Sequence, residues 1–240
     1  MGVSKLIKPL RRLLRGKDCG AVIVAAGNAT RMGGIDKVMA ELSGEPMVVH
    51  TVRAFQNCTS VAEIVVVTRQ DLIARITELC AGFSKVKAVV VGGADRPESV
   101  KNGLNALSGG MRLAAIQDGA RPLITEDVID RTVAAARTYG AAAPGVPVKD
   151  TIKIVVDGLV KTTPDRNALQ AIQTPQVFDV DLLKGALEKA KTDKAVITDD
   201  CSAVERLGMS VQIVAGDERN IKVTTPEDLK IAEQLLEERK

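Results

Sequence analysis

The chain has no tryptophan, one tyrosine and three phenylalanines among 240 residues. A protein that holds single-stranded nucleic acid needs aromatic platforms for the bases, and recognition by stacking in the manner of an antibody makes the same demand. Neither class fits. Histidine is nearly missing as well, His50 being the only one. The four cysteines, Cys19, Cys58, Cys80 and Cys201, are scattered and form no Cys-x-x-Cys pair. A zinc site therefore lacks its usual ligands, and a Ser-His hydrolase has little to draw on. Scattered free thiols suit a reducing compartment, so a cytoplasmic location is expected. No uninterrupted apolar run is long enough to span a membrane. The N-terminus carries cations but no continuous apolar core of a signal peptide, so stable membrane insertion is not expected.

Charge is scarce too: the net value is only +3, and most of it is local. Lys5, Lys8, Arg11, Arg12, Arg15 and Lys17 form a cluster without a single acid, and the remainder of the chain is slightly acidic. The body thus shows no nucleic-acid footprint. Residues 1–18 read as a basic extension. Leu6, Ile7, Leu10, Leu13 and Leu14 have helical spacing, as in a membrane-surface helix, but Pro9 interrupts the pattern. A frayed or docked extension is the preferred reading.

From residue 19 to 240 the rhythm is that of one α/β domain. Buried-strand runs are read at 21–25, 63–68, 86–91, 113–117, 141–148 and 211–215. Helices are read at 46–56, 70–81, 97–107, 126–139, 180–192 and 226–238. The last opens on Thr225-Pro226-Glu227-Asp228, with a capping Thr, Pro at the first helical position and acids in the first turn. Such alternation predicts a three-layer, Rossmann-like fold around a mostly parallel sheet. It breaks at 151–162, where two β-branched runs flank Asp157-Gly158, the turn of a β-hairpin. A hairpin between parallel units has no place in the sheet. It is predicted to project as an arm, at about 149–174, and to be covered by a second copy of the chain, giving a homodimer.

Ligands of such sheets bind beyond the carboxyl ends of the strands. Four loops there carry candidate chemistry. Ala25-Ala-Gly-Asn-Ala-Thr-Arg-Met-Gly-Gly-Ile-Asp-Lys37 offers small residues that let a phosphate approach the backbone, with Arg31 and Lys37 as cations. It matches neither the Walker A pattern nor Gly-x-Gly-x-x-Gly, which counts against a nicotinamide dehydrogenase. Asp118-Gly-Ala-Arg-Pro122 supplies a carboxylate suited to the Mg²⁺ that accompanies triphosphates. Gly92-Gly-Ala-Asp-Arg-Pro-Glu-Ser99 is a second small-residue loop, and Asn220-Ile-Lys-Val-Thr-Thr-Pro-Glu-Asp228 brings Lys222. Singly each could be an ordinary turn. Together they describe a polyphosphate pocket.

The ordered set of the AAG…RM…K loop, GGADRPESV, DGARP, PVKDTIK, PDRNALQ…QTPQ, ITDDCSA and NIKVTTPEDL resembles the 2-C-methyl-D-erythritol 4-phosphate cytidylyltransferase family, from about Cys19 onward. The resemblance implies a glycosyltransferase-A-like nucleotidyltransferase fold, a dimerising β-arm, and attack by a sugar-alcohol phosphate on the α-phosphorus of CTP. It implies that Arg31 and Lys37 stabilise the transition state, and that Asp118 sits near metal and substrate with Arg121 ordering its motif. It further implies that Arg166 and Lys222 position the sugar phosphate, with Thr151 and Arg166 coming from the partner subunit. Ala25, Ala26, Gly27, Gly93 and Ser99 match positions around the nucleotide, and Thr174 and Thr198 match further substrate-binding positions. Two residues depart from the pattern. Ala29 replaces a usual glycine, where a Cβ narrows the loop, and Ala94 replaces a frequent acid; both point to weaker CTP binding. A ribitol 5-phosphate (pentitol phosphate) cytidylyltransferase and a non-catalytic nucleotide-binding paralogue remain as alternatives. Arg166 favours the methylerythritol substrate over the first, and the retained cations and Asp118 speak against the second.

Overall fold

The computed structural model describes residues 18–27 and 36–239. In chain order they form β1 (Cys19–Ala25), a 3₁₀ turn at Lys37–Met39, the short pair β2 (Glu41–Leu42) and β3 (Glu45–Pro46), α1 (Met47–Asn57) and β4 (Val61–Thr68). Then come a 3₁₀ turn at Gln70–Leu72, α2 (Ile73–Cys80), β5 (Val86–Val91), α3 (Arg96–Ala106), β6 (Leu113–Asp118), α4 (Glu126–Tyr139) and β7 (Ala141–Pro147). The arm strands β8 (Ile154–Val156) and β9 (Leu159–Thr162) follow. A 3₁₀ turn at Arg166–Ala168 leads to β10 (Gln170–Ile172), β11 (Gln176–Asp179), α5 (Val180–Thr192), α6 (Asp200–Glu205), β12 (Gln212–Ala215) and α7 (Pro226–Glu237).

The alternation that the sequence predicts is present, with element ends shifted by at most two residues except for the helix read at 70–81, whose first turn is the 3₁₀ turn Gln70–Leu72. Strand residues divide by parity between two cores, as period-two side chains must. Ala21, Ile23, Ile64, Val66 and Ala115 pack with α1, α2 and α4 on one face. Val22, Val65, Val67, Ala114 and Ile116 pack with α3, α5 and α6 on the other. Helix α3 lies so close to the sheet that a Cβ at Gly103 would come within 2.3 Å of Val22 Cγ1. A third, smaller cluster joins Leu42, Met47, Ala120, Leu123 and Val223 to Ala232 of α7.

The main sheet runs β5-β4-β1-β6-β11-β7, and β12 adds to β7. Strands β5, β4, β1 and β6 are mutually parallel, and β12 is parallel to β7. The sequence reading missed β10 and β11, both antiparallel. Pro175 explains the omission: a proline inside a run argues against a central strand, and here it splits the run into two short pieces, with a cis Thr174–Pro175 peptide between them. Helix α6 and the β2–β3 pair were also unread, being too short to show a period.

The hairpin stands apart as its own two-stranded sheet. Val156 faces Leu159, and the turn residues Asp157 and Gly158 have φ of 51° and 78°, as a tight two-residue hairpin turn requires. Thr151 to Lys153 precede the strand rather than belong to it. Every residue from Asp150 to Thr163 is exposed within one chain. The reading of residues 1–18 as an extension concerns a segment that lies, but for Asp18, outside the described residues.

Candidate active site

A cleft of about 350 Å³ opens at the carboxyl ends of β1, β4, β5 and β6. Val24 to Gly27 form one wall, Gly93 to Arg96 and Ser99 another, and Lys37, Arg69, Asp118 and Lys222 supply charge. The walls are close because the glycines permit it. A Cβ on Gly92 would come within 2.5 Å of Ala26 Cβ, and one on Gly93 within 2.2 Å of Glu98 Cγ. Among the described residues, nothing lies within 4 Å of a Cβ built on Gly27.

The Gly92–Ser99 loop is tied to the start of α3. Asp95 caps the helix by accepting from Glu98 N at 2.8 Å, an orphan donor satisfied in the usual way. Ser99 Oγ accepts from Gly93 N at 3.0 Å and donates to Asp95 O at 2.8 Å. Ala94 N donates to Glu98 Oε2 at 2.8 Å. Ser99 thus orders the loop from behind while lining the cleft.

Asp118, the last residue of β6, is the hub. Its side chain is 12% exposed, and Lys222 Nζ lies 2.8 Å from Oδ2. Arg96 lies 3.7 Å from Oδ1 and Arg121 3.8 Å from Oδ2. Burial alone would push the Asp118 carboxyl up. Lys222 and Arg96 outweigh it and hold the group below the ordinary carboxylate range. Thr174 is buried, and its hydroxyl accepts from Asp118 N at 3.1 Å. Arg121 turns inward, donating to Asn220 O at 2.6 Å, and burial lowers its pKa.

Arg96 reaches further, to Asp200 Oδ2 at 2.7 Å. Asp200 is fully buried at the start of α6, and burial pushes its carboxyl up against the pull of Arg96. Burial would depress the Arg96 guanidinium, but Asp200 more than compensates and raises it. Arg96 therefore stays charged between two carboxylates, one structural and one at the cleft.

Of the residues singled out by sequence, Ala25, Ala26, Gly27, Lys37, Gly93, Ser99, Asp118 and Lys222 converge on this cleft. Arg121 and Thr174 stand behind Asp118 rather than along the wall. Thr198 is exposed, its N–H donating to Ser202 Oγ at 3.1 Å. Thr151 and Arg166 sit on the exposed arm, where Arg166 donates to Lys149 O at 3.0 Å. Arg31 and Ala29 lie outside the described residues. Sequence reasoning gave no role to Arg69, Arg96 or Asp200. Arg96 and Asp200 lay inside quoted motifs, but nothing local marks which of two adjacent acids is the buried one.

Small-residue walls, cations and a carboxylate at parallel strand ends are the features expected of a nucleotide site in an α/β transferase. The comparisons narrow the class. The family model described as 2-C-methyl-D-erythritol 4-phosphate cytidylyltransferase matches residues 19–238. Curated relatives of that name from Caldanaerobacter subterraneus subsp. tengcongensis and Geobacillus kaustophilus are 44% and 45% identical; each alignment spans 91% of this chain, and 99% and 97% of theirs. The crystal structure of 4-diphosphocytidyl-2C-methyl-D-erythritol synthase from Anaerococcus prevotii superposes with a TM-score of 0.85 at 32% identity, covering 94% of this chain and 99% of that one. The chain belongs to the 2-C-methyl-D-erythritol 4-phosphate cytidylyltransferase family, nucleotidyltransferases that move CMP from CTP to 2-C-methyl-D-erythritol 4-phosphate.

Proposed function

We propose that the cleft holds CTP and that the family reaction, giving 4-diphosphocytidyl-2-C-methyl-D-erythritol and pyrophosphate, runs at its mouth. The observation that carries this is the meeting of Lys37, Lys222 and Asp118 with the Ala25–Gly27 and Gly93–Ser99 walls in one cleft. Attack on a phosphoryl centre builds charge on its oxygens, so placed cations are the main tool. Lys37 is assigned that work, with Arg31 as its companion from the same loop. The backbone of Ala25 to Gly27 and Gly93 frames base and ribose, with Ser99 bracing that wall. Lys222, paired with Asp118 in the free protein, is assigned to the acceptor phosphate. A phosphate monoester is already anionic near neutral pH, so no strong base is needed, which suits a chain whose single histidine, His50, contacts Leu42 O at 2.8 Å instead.

Among the described residues no three His, Cys, Asp or Glu side chains gather as a metal cage would need. Magnesium usually keeps several waters and is held by one or two carboxylates together with substrate phosphate oxygens; Asp118 would supply such a carboxylate. Bound there, Mg²⁺ would neutralise phosphate charge.

We further assign the acceptor subsite to two chains. Thr151 and Arg166 are exposed on an arm that carries unburied apolar residues, Leu159 at 75% and Val160 at 60% exposure. A lone two-stranded hairpin is marginal in water, so the arm fits a homodimer in which it crosses to the partner's cleft. Thr198 is assigned to the rim of the acceptor subsite. The ribitol 5-phosphate alternative is tested by measuring pyrophosphate release with CTP, Mg²⁺ and each acceptor in parallel. Release with 2-C-methyl-D-erythritol 4-phosphate is expected; release with ribitol 5-phosphate alone moves the assignment, and release with neither leaves a non-catalytic nucleotide binder.

A further inference from the structure

Lys37 opens the Lys37–Met39 turn, so where it stands depends on how that turn is held to the body. One anchor is Val38, which is buried in the core against α1. The other is Asp36. Its side chain accepts from Val38 N at 3.1 Å, capping the Lys37–Met39 turn, and it forms an ion pair with Arg69. Arg69 follows β4, whose last residue, Thr68, is fully buried and donates to Ala25 O at 3.4 Å. The far side of the guanidinium is also taken: Nε lies 3.1 Å from Asp71 Oδ1 and Nη2 2.9 Å from Oδ2.

Arg69 lines the cleft, and a cationic wall residue invites a reading as a phosphate ligand. The geometry argues otherwise. Carboxylates face it on both sides: Asp71 takes the Nε–Nη2 edge with two hydrogen bonds, and Asp36 forms an ion pair at Nη1. We infer that Asp36 and Arg69 form a latch that fastens the Lys37–Met39 turn to the end of β4 and so sets where Lys37 stands; both are positioning residues. This rests on the proposed role of Lys37. A shift of the order of 1 Å in a reacting group can cost around a hundredfold in rate, so a latch of this kind acts on turnover more than on binding.

Asp36→Asn isolates the effect, because Asn caps a turn as well as Asp does while the ion pair is lost. Steady-state kinetics with CTP and 2-C-methyl-D-erythritol 4-phosphate should show kcat reduced about tenfold and KM for CTP changed less than about threefold. Arg69→Ala should match it, and Arg69→Lys should recover part of the loss. Thermal unfolding of each variant separates a displaced loop from a damaged fold. The decisive arm places Asp36→Asn in a Lys37→Ala background, where it should cost no more than about twofold, since the residue it positions is gone. Wild-type kcat in Asp36→Asn, or an undiminished tenfold loss in the Lys37→Ala background, overturns the latch. Wild-type kcat in Lys37→Ala alone instead removes the reading of Lys37 on which the latch rests.

Discussion

The cleft and the arm are built on opposite terms. The cleft's charges are partnered: Asp118 has Lys222 at 2.8 Å, and Arg96 has Asp200 at 2.7 Å. Its loops are pinned by Ser99 and by the cap from Asp95. The arm has less of this: Arg166 is held to Lys149 O at its base, but β8 and β9 pair only with each other, and every residue of both is exposed. On the proposed reading, a single chain contains a preorganised nucleotide half and only the raw parts of an acceptor half. Preorganisation is what electrostatic catalysis on a phosphoryl group requires. The acceptor half can wait for a second subunit, because it need only position an anion that is already nucleophilic.

The largest expected effect breaks the arm while sparing the cleft. The double substitution Leu159→Asp and Val160→Asp puts charges on the two most exposed apolar residues of β9. If the proposed homodimer forms through the arm, sedimentation should show a dimer for the unmodified chain and a monomer for the variant. The acceptor kcat/KM should fall by on the order of 10³, because Thr151 and Arg166 no longer reach a neighbouring cleft. CTP binding by calorimetry should change less than about threefold. Equal losses of CTP and acceptor binding would mean that the two halves are not separable. The next effect breaks the cleft while sparing the arm. Lys37→Ala should lower kcat by about 10² with the dimer intact; a change confined to KM would make Lys37 a binding residue only.

The same division governs what could be read from sequence. The parallel strands and their helices were legible because each buries a periodic face, and the hairpin was legible from Asp157-Gly158. The glycine-lined walls were legible because small residues at strand ends have few other uses. What escaped depends on distant partners. Gln176 to Asp179 became an antiparallel strand between β6 and β7 only because the sheet offered two open edges there, despite Pro175. Arg69 and Asp36 are far apart in the chain, and neither has a local pattern that announces an ion pair. Asp200 differs from its neighbour Asp199 only in burial: Asp199 caps α6 through Ser202 N at 2.9 Å, while Asp200 goes to Arg96. Adjacent identical residues with different work are invisible to composition and spacing.

Arg166 tests the comparison at its finest point, because it belongs to the arm by position and is assigned to the acceptor phosphate by chemistry. Within one chain its Nη1 donates to Lys149 O, bracing the base of the arm. If that bracing were its whole role, Arg166→Ala would loosen the arm, and dimerisation would weaken while KM followed only through dissociation. If the guanidinium meets the acceptor, the variant stays dimeric, and KM for 2-C-methyl-D-erythritol 4-phosphate rises about tenfold, the scale of one charge-assisted hydrogen bond. Arg166→Lys should then fall between, since a lysine keeps the charge but not the fork. Kinetics measured well above the dimer dissociation constant separate the two outcomes. An unchanged KM in a fully dimeric Arg166→Ala enzyme would leave Lys222 as the remaining described cation assigned to the acceptor phosphate, and would place more of the acceptor half inside the preorganised cleft.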